Sequence, residues 1–433
     1  MATDPKSGWP IYNLTDVFEI RSGLSKPAAD FGSGFPFVTF KDVLDHYFLP
    51  ETLGSLVRSN EKERALCDVR RGDVFLTRTS ETQEDLGMSS VALRDYPGAT
   101  FNGFTKRLRP TGALPIVPEY AAYFLRSPRF RAAMSGFSSL STRASLNNDM
   151  IARLQIVLPD PGMQEAIGST LRSLDDKIEQ NRRTGAKLEG LARGVFKAWF
   201  VDFEPVKAKA AGATAFPGMS PEAFAALPNT FQDSPLGPVP QGWESISLIK
   251  VATFLNGLAL QKFPARGVDS DLPVIKIAEL RKGSTVGSDR ANADVPPQYI
   301  VADGDLLFSW SGTLEAGIWH GGAGALNQHL FKVTSQRFPK WFFYHWILHH
   351  LPDFRAIASS KATTMGHIQR KHLEAAMTVA PPDHFLGCAD SVLKPLTSLT
   401  HHLNVESKRL AALRDYLLPK LLSGQVRVRA GGK

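Results

Sequence analysis

Cysteine is almost absent: Cys67 and Cys388 are the only two in 433 residues. Two thiols cannot build a disulfide framework or a four-cysteine zinc site. No run reaches the roughly 18 uninterrupted apolar residues of a membrane helix. The opening MATDPKSGWPIYNL also lacks the apolar core of a secretory signal. The chain therefore reads as soluble, reduced and cytoplasmic. Hydrophobic residues make up 43% and charged residues 21%, a globular balance that excludes disorder along the whole length. A chain this long implies two or three domains.

Catalytic signatures are missing as well. No Walker A pattern occurs. The glycines of Gly321 to Gln328 do not open a helix after a strand and read as a turn. An adenine methyltransferase needs an Asn/Asp-Pro-Pro-aromatic strand; the nearest string, Asp294 to Tyr299, is spoiled by Val295 and Gln298. Pro382-Asp383 followed by Glu406-Ser407-Lys408 imitates a nuclease carboxylate pair. Glu406, however, falls in an expected long helix, and Thr184 and Ala186 occupy the matching places of the first half. His345 and His349 lie four apart on a helix without a clear third ligand, which suits packing better than a metal. No metal site and no Ser-His-Asp pairing is nominated. What remains is a binding component.

Charge of one sign is in excess. Fifty Lys and Arg stand against 42 Asp and Glu, giving +8, which favours an anionic partner, nucleic acid before a membrane surface. Charge alone equally suits a basic soluble enzyme.

The chain is also written twice. Gly8-Trp9 is answered by Gly242-Trp243, Gly72-Asp73 by Gly304-Asp305, Tyr123-Phe124-Leu125 by His345-Trp346-Ile347, and Pro159 by Pro381. The offsets drift only from 234 to 222, the mark of duplication and not of a short-period solenoid. Each half opens with short β-like runs: VFLTRT, SSVAL and RLQIVL, then PVIKI, DLLFSW and LFKVT. Each carries a short aromatic helix, EYAAYFLRS or KWFFYHWILHHL, and closes on a long helix, Met163 to Trp199 or about His384 to Leu422. Asp160-Pro161 and Pro382-Asp383 suit helix starts. Glu204 to Gln241, rich in Ala, Pro and Gly, reads as a pinned connector.

The long helices carry an apolar seam. Leu396, Leu403, Leu410 and Leu417 recur every seven residues, with Leu413 beside them; Leu171, Leu174, Leu188, Leu191 and Val195 sit 222 earlier than their counterparts, and Asn181 replaces Leu403. The pattern is of coiled-coil type. Each helix, about 36 residues at 1.5 Å per residue, would be roughly 50 Å long. An antiparallel pair follows from the duplication; packing of each helix on its own half is the alternative. Gly185, Gly190 and Gly194 weaken the first helix, and Pro395 should bend or interrupt the second.

LRSLDDKIEQNRRTGAKLEGLARGVFKAWFVDFEPV (Leu171 to Val206) resembles the central conserved region of specificity subunits of Type I restriction-modification systems. DSPLGPVPQGW (Asp233 to Trp243) resembles the start of their second target-recognition domain. LRDYLLPKLLSGQVRV (Leu413 to Val428) is similar to their C-terminal conserved region, and GDVFLTRT and GDLLFSWS to their recognition-domain strand. The resemblance spans essentially the whole chain.

It implies an α+β fold of two duplicated globular DNA-recognition domains, separated by a pair of long antiparallel coiled-coil helices. The expected division is 1–160 and 242–382 for recognition, 161–203 and 383–424 for the helices, 204–241 for the connector and 425–433 for a basic tail. Each domain would read one half of a bipartite, asymmetric target on double-stranded DNA. The helices would dock two methyltransferase subunits and, for restriction, an ATP-dependent translocase-nuclease. The chain itself would be non-catalytic, with S-adenosylmethionine, ATP and Mg on the partner subunits. A stand-alone DNA-binding or architectural protein is the alternative, an autonomous DNA methyltransferase or nuclease a more distant one. Candidate DNA ligands are Arg78, Thr79 and Ser80 against Trp310, Ser311 and Thr313, and Ser141, Thr142 and Arg143 against Thr363, Thr364 and His367. Lys41, Arg107, Lys276, Arg370 and Lys371 are candidates for phosphate or base contact.

Overall fold

The computed structural model describes residues 2–80, 82, 84–136, 144–360 and 366–428. It divides into two compact units, Met1–Glu179 with Lys408–Lys433, and Gln180–Ser407. The long helices do not form a unit of their own in this division. Each long helix instead gives one stretch to each unit, because its apolar face finds its partners in the neighbouring core.

Unit 1 is built on a four-stranded antiparallel sheet. Its order is β1 (Phe18–Ser22), β4 (Thr105–Pro110), β2 (Val74–Thr77), β3 (Ser89–Val91). In unit 2 the order is β5 (Thr253–Asn256), β8 (Leu330–Thr334), β6 (Leu306–Ser309), β7 (Ala316–Ile318), again antiparallel. A second, mixed sheet accompanies each. It is centred on Phe31–Val38 in unit 1 and Leu272–Ile275 in unit 2, and each of these strands runs parallel to a later one. A two-stranded ladder completes each unit, Ile11 opposite Val157 and Ser245 opposite Val379. The duplication expected from sequence is thus a duplication of strand order and register.

Each expected run contains a strand; Leu330–Thr334 keeps its full length and the others differ from the expectation at their ends. Two strands of the first sheet, the edge strand β1 and the central strand β4, were not among them. Thr105–Pro110 carries Lys106, Arg107 and Arg109, which hide the alternation of polar and apolar residues that marks a half-buried strand. The aromatic helices cover Pro118–Leu125 and Lys340–Ser359. The second runs on through Pro352, because Leu351, Phe354 and Ala358 are buried and anchor the turns around it.

The central helix covers Pro161–Phe196 and ends in a π-helical turn, Lys197–Val201. The C-terminal helix runs from Asp383 to Leu422, uninterrupted by Pro395. Pro395 lies on the exposed side of the helix, while Leu393 is fully buried. Inside unit 2 the two helices run antiparallel. Asn181 Nδ2 donates to Glu406 Oε2 at 2.7 Å, and a Cβ on Gly185 would touch the Thr400 methyl at 3.9 Å.

The seam is narrower than its leucines suggest. Leu171 is fully buried; Leu174, Leu188, Val195, Leu396, Leu403, Leu410 and Leu417 are half-buried. Leu191 and Leu413 depart from the expectation, at 55% and 44% exposed. Their places are taken by Asn181, Ala192, Thr400, Leu418 and Leu421, which are buried. A strict seven-residue count drifts around a straight helix, so every few turns the buried stripe passes to a neighbouring position.

The connector folds. Glu204–Ala210 and Pro221–Ala225 are short helices, and Val206, Phe224, Leu227 and Val239 join the core of unit 2 around Phe200 and Trp243. Unit 1 gathers its core from distant segments: Trp9, Tyr120, Phe124, Ile167, Leu418 and Leu421 pack together. Among the described residues no helix is long and apolar enough to cross a membrane.

Candidate nucleic-acid interface

The site is built at one end of each four-stranded sheet by a repeated frame. After β1 the chain passes Gly23, where a Cβ would lie 2.3 Å from the Asn102 carbonyl oxygen. After β5 it passes Gly257, where a Cβ would lie 2.2 Å from the Asn327 carbonyl oxygen. Only glycine fits so close an approach of two backbones. The Asn102 and Asn327 side chains then accept from Phe104 and His329 amides, at 2.7 and 3.2 Å. Those residues' carbonyls accept in turn from the amides of Arg78 and Trp310, at 2.7 and 3.3 Å.

Arg78 and Trp310 follow β2 and β6 directly and are held on both sides. The Arg78 carbonyl accepts from Leu146 N at 2.8 Å, and the Trp310 carbonyl from Ile368 N at 2.9 Å. Short ladders fix the next residues: Thr79 and Ser80 pair with Ser145 and Ala144, and Ser311 bridges His367. Just beyond lie helix α1 (Asn148–Ala152) in unit 1 and helix α2 (Arg370–Ala375) in unit 2. The buried hydroxyls of Thr77 and Ser309 donate to the carbonyls of Asp85, at 2.5 Å, and Thr313, at 2.8 Å, pinning the following loop.

The same frame carries different chemistry. In unit 1, Lys106 on β4 donates through Nζ to Ser22 Oγ and Asn148 Oδ1, both at 2.8 Å. Burial pushes its pKa down, and the positive charge of Arg78 pushes the same way. In unit 2, Phe331 on β8 stands in the place of Lys106, Trp310 in that of Arg78, Asn256 in that of Ser22 and Arg370 in that of Asn148. Trp310 Nε1 donates to Asn256 Oδ1 at 2.9 Å and Gln328 O at 3.0 Å, and the indole lies 6.2 Å from the Phe331 ring. Trp310, Phe331, Phe254, His367 and Arg370 line an open cavity of about 440 Å³.

The sequence candidates thus fall into three groups. Arg78, Thr79 and Ser80 come together in unit 1, and Trp310, Ser311, His367 and Arg370 in unit 2, with Lys371 exposed beside Arg370. Ser141, Thr142, Arg143, Thr363 and Thr364 lie outside the described residues. Of the remaining four, Thr313 lies in the loop after β6, where its carbonyl accepts from Ser309 Oγ, and three stand elsewhere. Lys41 is exposed on the helix Phe40–Asp45. Lys276 precedes the helix Ile277–Lys282 and forms an ion pair with Asp289. Arg107 is a correction: it is 3% exposed and donates to Asp68 O and Oδ1 at 2.7 and 3.0 Å, so it serves the core of unit 1.

Sequence reasoning missed Lys106, Ser22, Asn148, Asn256 and Phe331. The repeat held a signal for them, because Ser22 and Asn256 share the 234 offset of Gly8 and Gly242, and Asn148 and Arg370 the 222 offset of Pro159 and Pro381. The rejected catalytic strings stay apart here as well. Asp383 lies 3.2 Å from Arg337 Nη2, while Glu406 holds Asn181. His345 is packed 5.1 Å from the Phe196 ring.

Residues 6–189 match the family model described as the Type I restriction modification DNA specificity domain. That stretch of the chain carries a domain of this kind. The Type I restriction enzyme MjaIX specificity subunit of Methanocaldococcus jannaschii is 25% identical over 97% of this chain and 94% of its own length. The HindI specificity subunit of Haemophilus influenzae is 24% identical over 97% and 100%. A crystal structure of the S subunit of a Type I restriction-modification system from M. genitalium shares the fold, with a TM-score of 0.56 and 12% identity over 97% of this chain and 98% of that one. Both relatives are named as specificity subunits of Type I restriction enzymes.

Proposed function

We propose that this chain is a specificity subunit and reads a bipartite, asymmetric sequence in double-stranded DNA, one half through each unit. One observation supports the reading above the others: a single backbone frame, repeated in register, presents Arg78 and Lys106 in one unit and Trp310 and Phe331 in the other. Two copies of one recognition scaffold with unlike side chains are suited to two unlike half-sites. The net charge of +8 suits a polyanionic partner. The subunit docks two adenine-methyltransferase subunits and, for restriction, an ATP-dependent translocase-nuclease. S-adenosylmethionine, ATP and Mg are held by those partners.

The test is reconstitution with the methyltransferase subunit, followed by mapping of methylated adenines on random DNA. A split target with two different halves is expected. A contiguous target, or methylation that ignores sequence, overturns the proposal.

A further inference from the structure

Lys106 breaks the rule that its own strand obeys. Arg109, three residues on, donates to Asp73 Oδ1 and Oδ2 at 2.7 Å and to Asp68 Oδ1 at 2.9 Å, and Arg107 shares Asp68. Lys106 is also buried, 7% exposed, yet among the described residues its ammonium meets only the Ser22 hydroxyl and the Asn148 amide oxygen. The charge acting on it is that of Arg78, another cation. Arg78 has its backbone tied on both sides, while its Nε is buried without an acceptor. Two cations side by side, one of them desolvated and neither paired with a carboxylate among the described residues, call for an electron-rich acceptor from outside the chain.

Phosphate oxygens and the acceptor edge of guanine both answer that description. The repeat separates them. Phosphate is the same in both half-sites, so a phosphate-binding position has no reason to differ between two copies of one frame. A base-reading position must differ if the halves differ. The place held by Arg78 is held in unit 2 by Trp310, whose one side-chain N–H is already committed to Asn256 and Gln328.

We infer that Arg78 reads a guanine in the half-target of unit 1, donating to its O6 and N7 in the major groove. Lys106, locked by Ser22 and Asn148, keeps the surroundings positive and positions the Arg78 side chain. This rests on the proposed DNA-reading function. Unit 2 reads its half without a guanidinium at this position.

The experiment uses the complete assembly with its methyltransferase subunits on a randomised DNA library. The half belonging to unit 1 is the one that changes when residues 8 to 160 are exchanged for those of a relative. Wild type is expected to require guanine at one position of that half. Arg78→Ala should accept other bases there, with discrimination falling by about 10- to 100-fold. Arg78→Gln should move the preference from guanine to adenine, whose edge pairs with an amide. The half read by unit 2 should stay as it was. If Arg78→Ala fails to assemble, Arg78→Gln decides alone. A uniform loss over all sequences, with a salt dependence shallower by about one ion, identifies a phosphate contact and overturns the inference. So does an unchanged target. A wild-type assembly without a split target overturns the function itself before any variant is needed.

Discussion

Burial makes Arg109 and His345 costly to disturb for opposite reasons, one because it is charged and one because it must not be. Asp73 is 1% exposed at its side chain and depends on the Arg109 fork for its counter-charge. Arg109→Met would leave that carboxylate uncompensated, and unit 1 should lose about 3 to 5 kcal/mol. Denaturant unfolding measures the loss, and an effect below about 1 kcal/mol would show that Asp73 is satisfied by other means. His345 is 4% exposed with neither ring nitrogen bonded among the described residues, and burial pushes its pKa down from 6.5 to about 4, helped by Arg193. The unfolded chain therefore binds the proton more tightly than the folded one. Stability from this group is full above pH 6.5 and falls as pH drops toward 4, by up to about 3 kcal/mol. His345→Phe should flatten that slope in unfolding measurements across pH 4 to 7; an equally steep slope would place the pH dependence on other groups.

At the scale of elements, the two long helices are joined in unit 2 by a polar contact where the leucine pattern expects apolar ones. Asn181 is 1% exposed and donates to Glu406. Asn181→Asp would set two carboxylates against each other, and the variant should lose about 3 kcal/mol at neutral pH. Most of it should return below the carboxylate pKa range, where one of the pair is protonated; a loss independent of pH would mean that shape, not charge, is at stake. The helices, the aromatic helices and six of the strands were legible because each depends on local periodicity and local breakers. β4 was not, since Arg107 and Arg109 are made tolerable by Asp68 and Asp73, some 36 to 41 residues away. For the same reason Arg107 looked like a DNA ligand while Lys106 passed unnoticed: composition shows a cation, but only the fold shows whether an acid answers it. Arg78 and Trp310 were found from the matched strands, whereas Asn148 and Phe331 needed the register of the repeat to be followed through the loops.

At the scale of the whole molecule, duplication sets what can be exchanged. Each unit owns a complete copy of the frame, from the close glycine turn to the ladder behind Arg78 or Trp310. The covalent order is less tidy, because unit 1 also uses Ile167 and Leu171 from the central helix and Leu418, Leu421 and Leu422 from the end of the C-terminal helix. Replacing residues 8 to 160 by the matching domain of a relative therefore transfers the whole frame but seats it on this chain's own helical residues. Two consequences separate cleanly. The reading function should move with the frame: one half of the methylated target changes to that of the donor, and the other half, read by unit 2, is retained. Stability should fall in proportion to how poorly the donor's counterparts of Tyr120 and Phe124 fit against Leu418 and Leu421, at about 1 to 3 kcal/mol for an overfilled core. Restoring the donor's residues at 167, 171, 418, 421 and 422 should recover that stability without altering either half of the target. Methylation mapping and thermal unfolding of the two chimeras measure these effects independently. If both halves of the target change in the first chimera, or if neither does, the units do not read independently; if the helix residues alter the target, the frame is not the reader.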